Sequence, residues 1–504
     1  MPVTDFGTRD GKQLIGSQWS CGGGQESISI SPVDSRATWQ GRWADDRQAA
    51  DAVSAARDAF SNWSLRSLDE RTELCRAFAR HVELHRGELA DLIAWETGKP
   101  RWEALTEVTA VTGKVEISIG AQQVRRWTTV EHQTDLTAVT RYRPHGVMLV
   151  LGPFNLPAHL PGAHIVPALL AGNTIVFKPS ELTPAVGQWL AQAWEAVGLP
   201  PGVLNLLHGG AAIAQRLASE DGVDGVLFTG SYRAGASLHK LLGGKPEKVL
   251  ALEMGGNNPL IVHNVANLAS TVMHIIESAY ITSGQRCTCA RRLIVTESSK
   301  PDELLERLAA AMAGIRVGLP FDAAQPFMGT LIRPSAARGL IDAQSELLEQ
   351  GGRGLVKMQT VSRNDALLTP GLIDVTGIEL EDVETFGPLL RVIRVPTFDA
   401  AIAVANNTRF GLAAGLLADQ VDDYHYFSDR IQAGIVNWNR QTTGASGRFP
   451  FGGIKSSGNH APSGYFAADY CAYPVASLES DRLTAVRTKV LPGLEEVARS
   501  CSSN

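Results

Sequence analysis

No apolar run in this chain approaches the roughly 18 residues that a membrane-spanning helix needs, so no membrane partner is expected. The opening residues Met-Pro-Val-Thr-Asp-Phe-Gly lack the basic-then-apolar order of a signal peptide. A cytoplasmic location is expected on that ground, and it removes any weight from the glycosylation sequon Asn62-Trp63-Ser64. An excess of positive charge is also missing. The chain has 46 Lys and Arg against 52 Asp and Glu, which speaks against a nucleic-acid partner. Cysteine is sparse and scattered: Cys21, Cys75, Cys287, Cys289, Cys471 and Cys501. Such a distribution does not form a disulfide framework and fits a reducing compartment. Cys287-x-Cys289 has no neighbouring Cys or His cluster to complete four ligands, so no metal is expected. The Gly-x-Gly-x-x-Gly fingerprint of dinucleotide-binding folds is absent as well. Neither internal repeats nor low-complexity segments occur.

What is present is length and alternation. A chain of 504 residues exceeds what one hydrophobic core supports, and two or three domains are expected. Residues 45–60 place Ala49, Val53, Ala56 and Phe60 on one helical face, and 68–97 continue helical. Short apolar runs, typical of strands buried on both faces, follow at 146–152, 173–177, 203–207, 225–228 and 249–252. Helical segments at 160–171, 184–197, 211–219 and 232–242 separate them. This order predicts an α/β protein with a doubly wound parallel sheet. A second alternating stretch runs from about 258 to 437. Residues 125–144 and 474–483 are polar and β-prone and stand outside the α/β scheme.

The chemistry-bearing residues fall at the ends of these runs. Gly284-Gln285-Arg286-Cys287-Thr288-Cys289 supplies a thiol, and Leu252-Glu253-Met254-Gly255-Gly256 a carboxylate. They are too far apart to share a local turn, so the fold has to bring them together. A thiolate attacks a carbonyl carbon, and a carboxylate can activate a thiol or a water. Cys289 is the competing nucleophile. Asn155, within Pro153-Phe154-Asn155-Leu156-Pro157, can offer a side-chain N–H to a tetrahedral oxyanion. Phe228-Thr229-Gly230-Ser231-Tyr232-Arg233-Ala234-Gly235 passes from a strand into a helix whose N-terminal N–H groups could receive a pyrophosphate. Alternatively, Ser231 is simply a helix cap. Lys178 and Glu181 sit at the carboxyl end of a strand, where open α/β sheets bind ligands. A carboxylate there accepts ribose hydroxyls and repels a 2′-phosphate. Taken only as residues, the two are also consistent with a solvated charge pair. His159 and His164 flank Pro161-Gly162 and read as structural.

Taken together, Gly284-Gln285-x-Cys287, Leu252-Glu253-Met254-Gly255-Gly256, Glu384-Thr385-Phe386-Gly387-Pro388 and Pro153-Phe154-Asn155 resemble the aldehyde dehydrogenase superfamily, from about residue 30 to about 480. The resemblance implies an NAD-binding domain at 1–124 and 145–255 and a catalytic α/β domain at 256–460. It also implies a small β oligomerisation arm at 125–144 and 461–490, and hence a homodimer or homotetramer. It selects Cys287 as nucleophile, Glu253 as base and Asn155 as oxyanion donor. NAD would be bound by Lys178, Glu181 and Gly230 to Gly235 (Ser231, Tyr232, Arg233 and Ala234 included). Glu384 would bind the nicotinamide ribose, and Phe386 would pack near the nicotinamide.

The segments Ser457-Gly-Asn-His460 and Tyr465-Phe-Ala-Ala-Asp-Tyr-Cys-Ala-Tyr-Pro474 resemble one branch, the N-succinylglutamate 5-semialdehyde dehydrogenases of arginine breakdown. Members of that branch carry Arg after the His, where this chain has Ala461. Arg286, Arg440 and Arg448 are the candidate cations for an acidic substrate. Two alternatives stand beside this one: another semialdehyde dehydrogenase with an acidic substrate, and a non-catalytic binding or structural protein on the same fold.

Overall fold

A computed structural model describes residues 7–133, 136–481 and 491–501. Residues 1–6 of the expected NAD-binding domain and residues 134–135 and 482–490 of the expected arm lie outside the described residues. All five predicted parallel strands form. They run Val249–Met254, Gly225–Gly230, Val147–Leu151, Thr174–Lys178 and Leu204–Leu206 across one sheet. From Val147–Leu151 the chain winds outward through two strands, then returns to the other side of the starting strand. The sheet therefore reverses direction between Val147–Leu151 and Gly225–Gly230, and the crevice at such a switch point is where doubly wound folds bind ligands.

The intervening helices follow their sequence signals. Asp45 caps Asp46–Leu65 in a reciprocal box with Gln48, and Ser231 caps Tyr232–Leu242. Helix His159–Ala171 is buried almost all round and covers the sheet. The expected helix over 68–97 is two helices, Leu68–Leu84 and Arg86–Thr97, because His85 leaves helical geometry between them.

Four strands escaped the sequence reading: Arg9–Ile15, Gln18–Cys21, Glu26–Ile30 and Ala37–Arg42 extend the sheet to nine strands. They are short and mostly half-exposed, so apolar periodicity does not announce them. Long-range contacts hold them instead. The buried Gln13 amide donates to Arg42 O at 2.9 Å and accepts from His208 N at 2.6 Å.

A second, seven-stranded sheet takes its strands from Asn258–Val262 through Ile435–Trp438. The segments outside the α/β scheme pair with one another: Ala472–Glu479 lies antiparallel to Thr137–Pro144, which also pairs with Thr129–His132. Among the described residues, no helix is long and apolar enough to cross a membrane.

Candidate active site

A cavity of about 520 Å³ opens at the switch point, between the carboxyl ends of the first sheet and loops of the second. Its wall includes Asn155, Glu253 and Cys287 together. The wider cleft also presents Glu181, Gly230, Ser231, Ala234, Glu384 and Phe386.

Cys287 follows a tight kink. Thr282, Ser283 and Gly284 all have positive φ, and a side chain at Gly284 would strike the Gly387 carbonyl. The fully buried Arg291 clamps this turn. It donates to Gly284 O at 2.6 Å, Arg286 O at 2.9 Å and Gly387 O at 3.3 Å. Asn258 donates to the Cys287 carbonyl at 2.7 Å. The Cys287 N–H has no acceptor among the described residues. Cys289 is buried, with its thiol toward Ile281 O at 3.7 Å, and does not line the cavity. The packing thus places Cys287, the thiol that the Gly-Gln-x-Cys resemblance selects, on the cavity wall and Cys289 off it.

Asn155 is braced from behind. Lys99 Nζ donates both to Asn155 O and to Glu107, each at 2.6 Å. Glu107 also accepts from the N–H groups of Ala158 and His159, which would otherwise be orphan donors beside a helix start. The Asn155 amide donates one N–H to Gln285 O at 3.0 Å. Its second N–H is left for a ligand.

Glu253 closes the strand Val249–Met254. Its Oε1 accepts the Ser463 N–H at 3.2 Å, while the buried Oε2 has no partner among the described residues. Burial raises its pKa well above the ordinary carboxylate value, and only the Ser463 bond opposes this. Burial, followed by the charges of Glu253 and Glu384, pushes the Cys287 thiol up to about 12. Arg286 pulls the other way and favours the thiolate, but burial and the two carboxylates outweigh it. Loss of the Cys287 proton has to be coupled to a base.

The dinucleotide expected from the sequence fits this cleft. Glu384 Oε1 is buried without a hydrogen bond of normal geometry, and the nearest Arg291 nitrogen stands 3.5 Å away. Such a carboxylate oxygen suits a ribose hydroxyl. Only glycine at 255 lets Glu384 approach the strand end, because a Cβ there would overlap its carboxylate. Phe386 meets Phe154 edge-to-face at 5.9 Å.

Other expected residues stand off the cavity wall. Lys178 donates to the carbonyls of Pro179 at 2.8 Å and Gly209 at 2.6 Å, behind Glu181. Tyr232 packs edge-on against Phe410, Arg233 is exposed, and Gly235 is buried under Met254. None of the three arginines expected to meet a substrate carboxylate lines the cavity. Arg286 is held at 2.7 Å by both Thr282 and the buried Glu103, so its charge is already neutralised. Arg440 and Arg448 are exposed.

Two ionisable wall residues lie outside the candidate set, His164, which the sequence reads as structural, and Arg333. His164 lines the cavity, with Nε2 at 3.0 Å from Thr229 Oγ and Nδ1 at 2.9 Å from the Tyr470 hydroxyl. Burial lowers its pKa to about 3 and keeps it neutral. Arg333 is the other, and no local motif marks it. Asn459 and Tyr470 of the branch-like C-terminal segments make internal contacts. Asn459 exchanges hydrogen bonds with Leu252 N at 2.9 Å and Leu250 O at 2.7 Å, pinning the strand that carries Glu253.

The aldehyde dehydrogenase family model matches residues 19–474. The chain belongs to the aldehyde dehydrogenase family. Solved structures with the same fold include an indole-3-acetaldehyde dehydrogenase in complex with NAD⁺, 28% identical, TM-score 0.88, covering 93% of this chain and 96% of that one. An NAD-dependent aldehyde dehydrogenase from Sinorhizobium meliloti is 26% identical, TM-score 0.88, with 95% and 96% covered. An E. coli NADP-dependent enzyme is 28% identical, TM-score 0.88, with 95% and 100% covered. The aldehyde dehydrogenase fold and the family thus agree with the resemblance carried by the motifs.

Proposed function

We propose that this aldehyde dehydrogenase oxidises N-succinyl-L-glutamate 5-semialdehyde to N-succinyl-L-glutamate, with NAD as cofactor and hydrolysis of an enzyme thioester. The observation that carries the chemistry is the convergence of Cys287, Glu253 and Asn155 on one cavity at the sheet's switch point. Cys287 Sγ adds to the aldehyde carbon, its proton passing to solvent water in the open cleft, and a thiohemiacetal alkoxide forms. The second Asn155 N–H and the unpaired Cys287 N–H hold the developing oxyanion. NAD, when bound, supplies the acceptor for the hydride released as the thiohemiacetal becomes a thioester. Glu253 then takes a proton from the water that cleaves the thioester and frees the Cys287 thiol. Glu181 and Glu384 accept ribose hydroxyls. The carboxylate of Glu181 disfavours a 2′-phosphate and supports NAD over NADP.

The substrate assignment is supported by the C-terminal resemblance, and Arg448 is the cation assigned to a substrate carboxylate. That residue lies exposed three positions before the wall residue Phe451, on the segment that has lost the expected Arg at Ala461. The small three-stranded sheet is read as an oligomerisation arm because Val130 and Leu478 within it, and Trp127 just before it, are exposed. NADH formation across a panel of aldehydes tests the substrate. The succinylated semialdehyde should rank first, and Arg448→Ala should lower its kcat/KM by about one to two decades while sparing a short neutral aldehyde. Neutral aldehydes outranking the succinylated one would reject the branch and leave only the family. An equal fall for both substrates would make Arg448 structural.

A further inference from the structure

We propose that Arg333 is the cation that pairs with the diphosphate of the bound dinucleotide. The inference rests on the reading that the cleft holds NAD. Three carboxylates line the cleft, Glu181, Glu253 and Glu384, and Arg333 is the only Lys or Arg among its lining residues. A diphosphate brings two negative charges into a cleft whose lining carries three carboxylates and this one basic side chain. Lys178, the cation expected nearby, is buried on carbonyls and off the wall. Arg333 is exposed, and its guanidinium makes no hydrogen bond or ion pair among the described residues.

Its backbone is set for this role. Arg333 is the N-cap of helix Pro334–Glu349 and is held extended at φ −165°, ψ 156°, the region the following proline enforces. The cleft is bordered on the other side by Ser231 and Ala234, at the N-terminus of helix Tyr232–Leu242. Two helix N-termini therefore border one cleft, each favouring an anion. Ala234 and Ala336, one on the first turn of each helix, are both lining residues and keep the space between them open. An arginine fork suits phosphate oxygens, because two N–H groups can bond in parallel. It contributes through charge, so its effect is screened by salt.

Calorimetric titration of the full-length protein with NAD, NADP, ADP and adenosine, at low and at high salt, tests the assignment. Arg333→Ala should weaken NAD and ADP by roughly ten-fold or more and leave adenosine within about two-fold. The same variant should flatten the salt dependence of NAD binding, and Arg333→Lys should recover part of the loss. Glu181→Gln serves as the second arm and should weaken NAD, ADP and adenosine. If Arg333→Ala leaves NAD and ADP unchanged while Glu181→Gln weakens them, the assignment of Arg333 is overturned and the cleft still holds NAD. If neither variant changes NAD binding, the cleft itself is misread. An equal loss for adenosine and ADP would make Arg333 structural. A larger loss for NADP than for NAD would move it to the 2′-phosphate, and both results overturn the proposal.

Discussion

Glu253→Gln removes the proposed base with little change in shape. The Ser463 N–H at 3.2 Å keeps an acceptor, because an amide oxygen can replace Oε1. The strand register and the Asn459 straps on Leu250 and Leu252 do not involve the carboxylate. The variant should therefore fold, and burial of a neutral amide removes the cost of a buried charge. What it loses is proton acceptance at Oε2. A positioned general base is worth roughly 10²–10⁴ in rate, and turnover should fall by that factor. Because hydrolysis is the step placed on Glu253, a first equivalent of NADH should still form rapidly. The acyl group should then remain on Cys287, where intact-protein mass spectrometry detects it. The pH profile gives a second reading. Burial raises the Glu253 pKa, so the group is protonated and inactive below a pH higher than an ordinary carboxylate would set. The acid limb of kcat in the parent enzyme should lie above the ordinary carboxylate range and should vanish in Glu253→Gln. Slow turnover with neither burst nor adduct would refute the assignment to hydrolysis and move Glu253 to activation of the thiol.

Further outcomes follow from the same geometry. Cys287→Ser should abolish aldehyde oxidation and leave NAD affinity within a few fold by fluorescence titration, whereas Cys289→Ser should remain active; the reverse pattern would exchange the two thiols. Asn155→Ala should lower kcat by roughly 10²–10³, the usual effect of losing one oxyanion donor, with NAD binding intact. Alkylation of Cys287 by iodoacetamide without cofactor should be slow at pH 7 and accelerate toward high pH, since burial and two carboxylates favour the thiol form. Glu181→Gln should narrow the preference for NAD over NADP in kcat/KM, and equal use of both cofactors by the parent enzyme would remove Glu181 from the ribose.

Much of this molecule is legible from residue order. The five central strands are apolar on both faces, and that run of buried side chains is a local property visible without a fold. The helix starts at Asp45 and Ser231 are likewise local, because a cap acts within one turn. Cys287, Glu253 and Asn155 carry side chains whose chemistry is unusual at those motifs, and the resemblance linked them before any contact was known. Tertiary structure alone decided the rest. Whether Cys287 or Cys289 faces the cavity depends on a kink stapled by Arg291, a residue whose partners come from two loops. Arg286 looked like a free cation until Glu103, far away in sequence, neutralised it. Arg333 carries no motif and acquires meaning only from the acidic wall around it. Charge compensation and burial are sums over neighbours, and the neighbours of a side chain are chosen by the fold, not by its place in the chain.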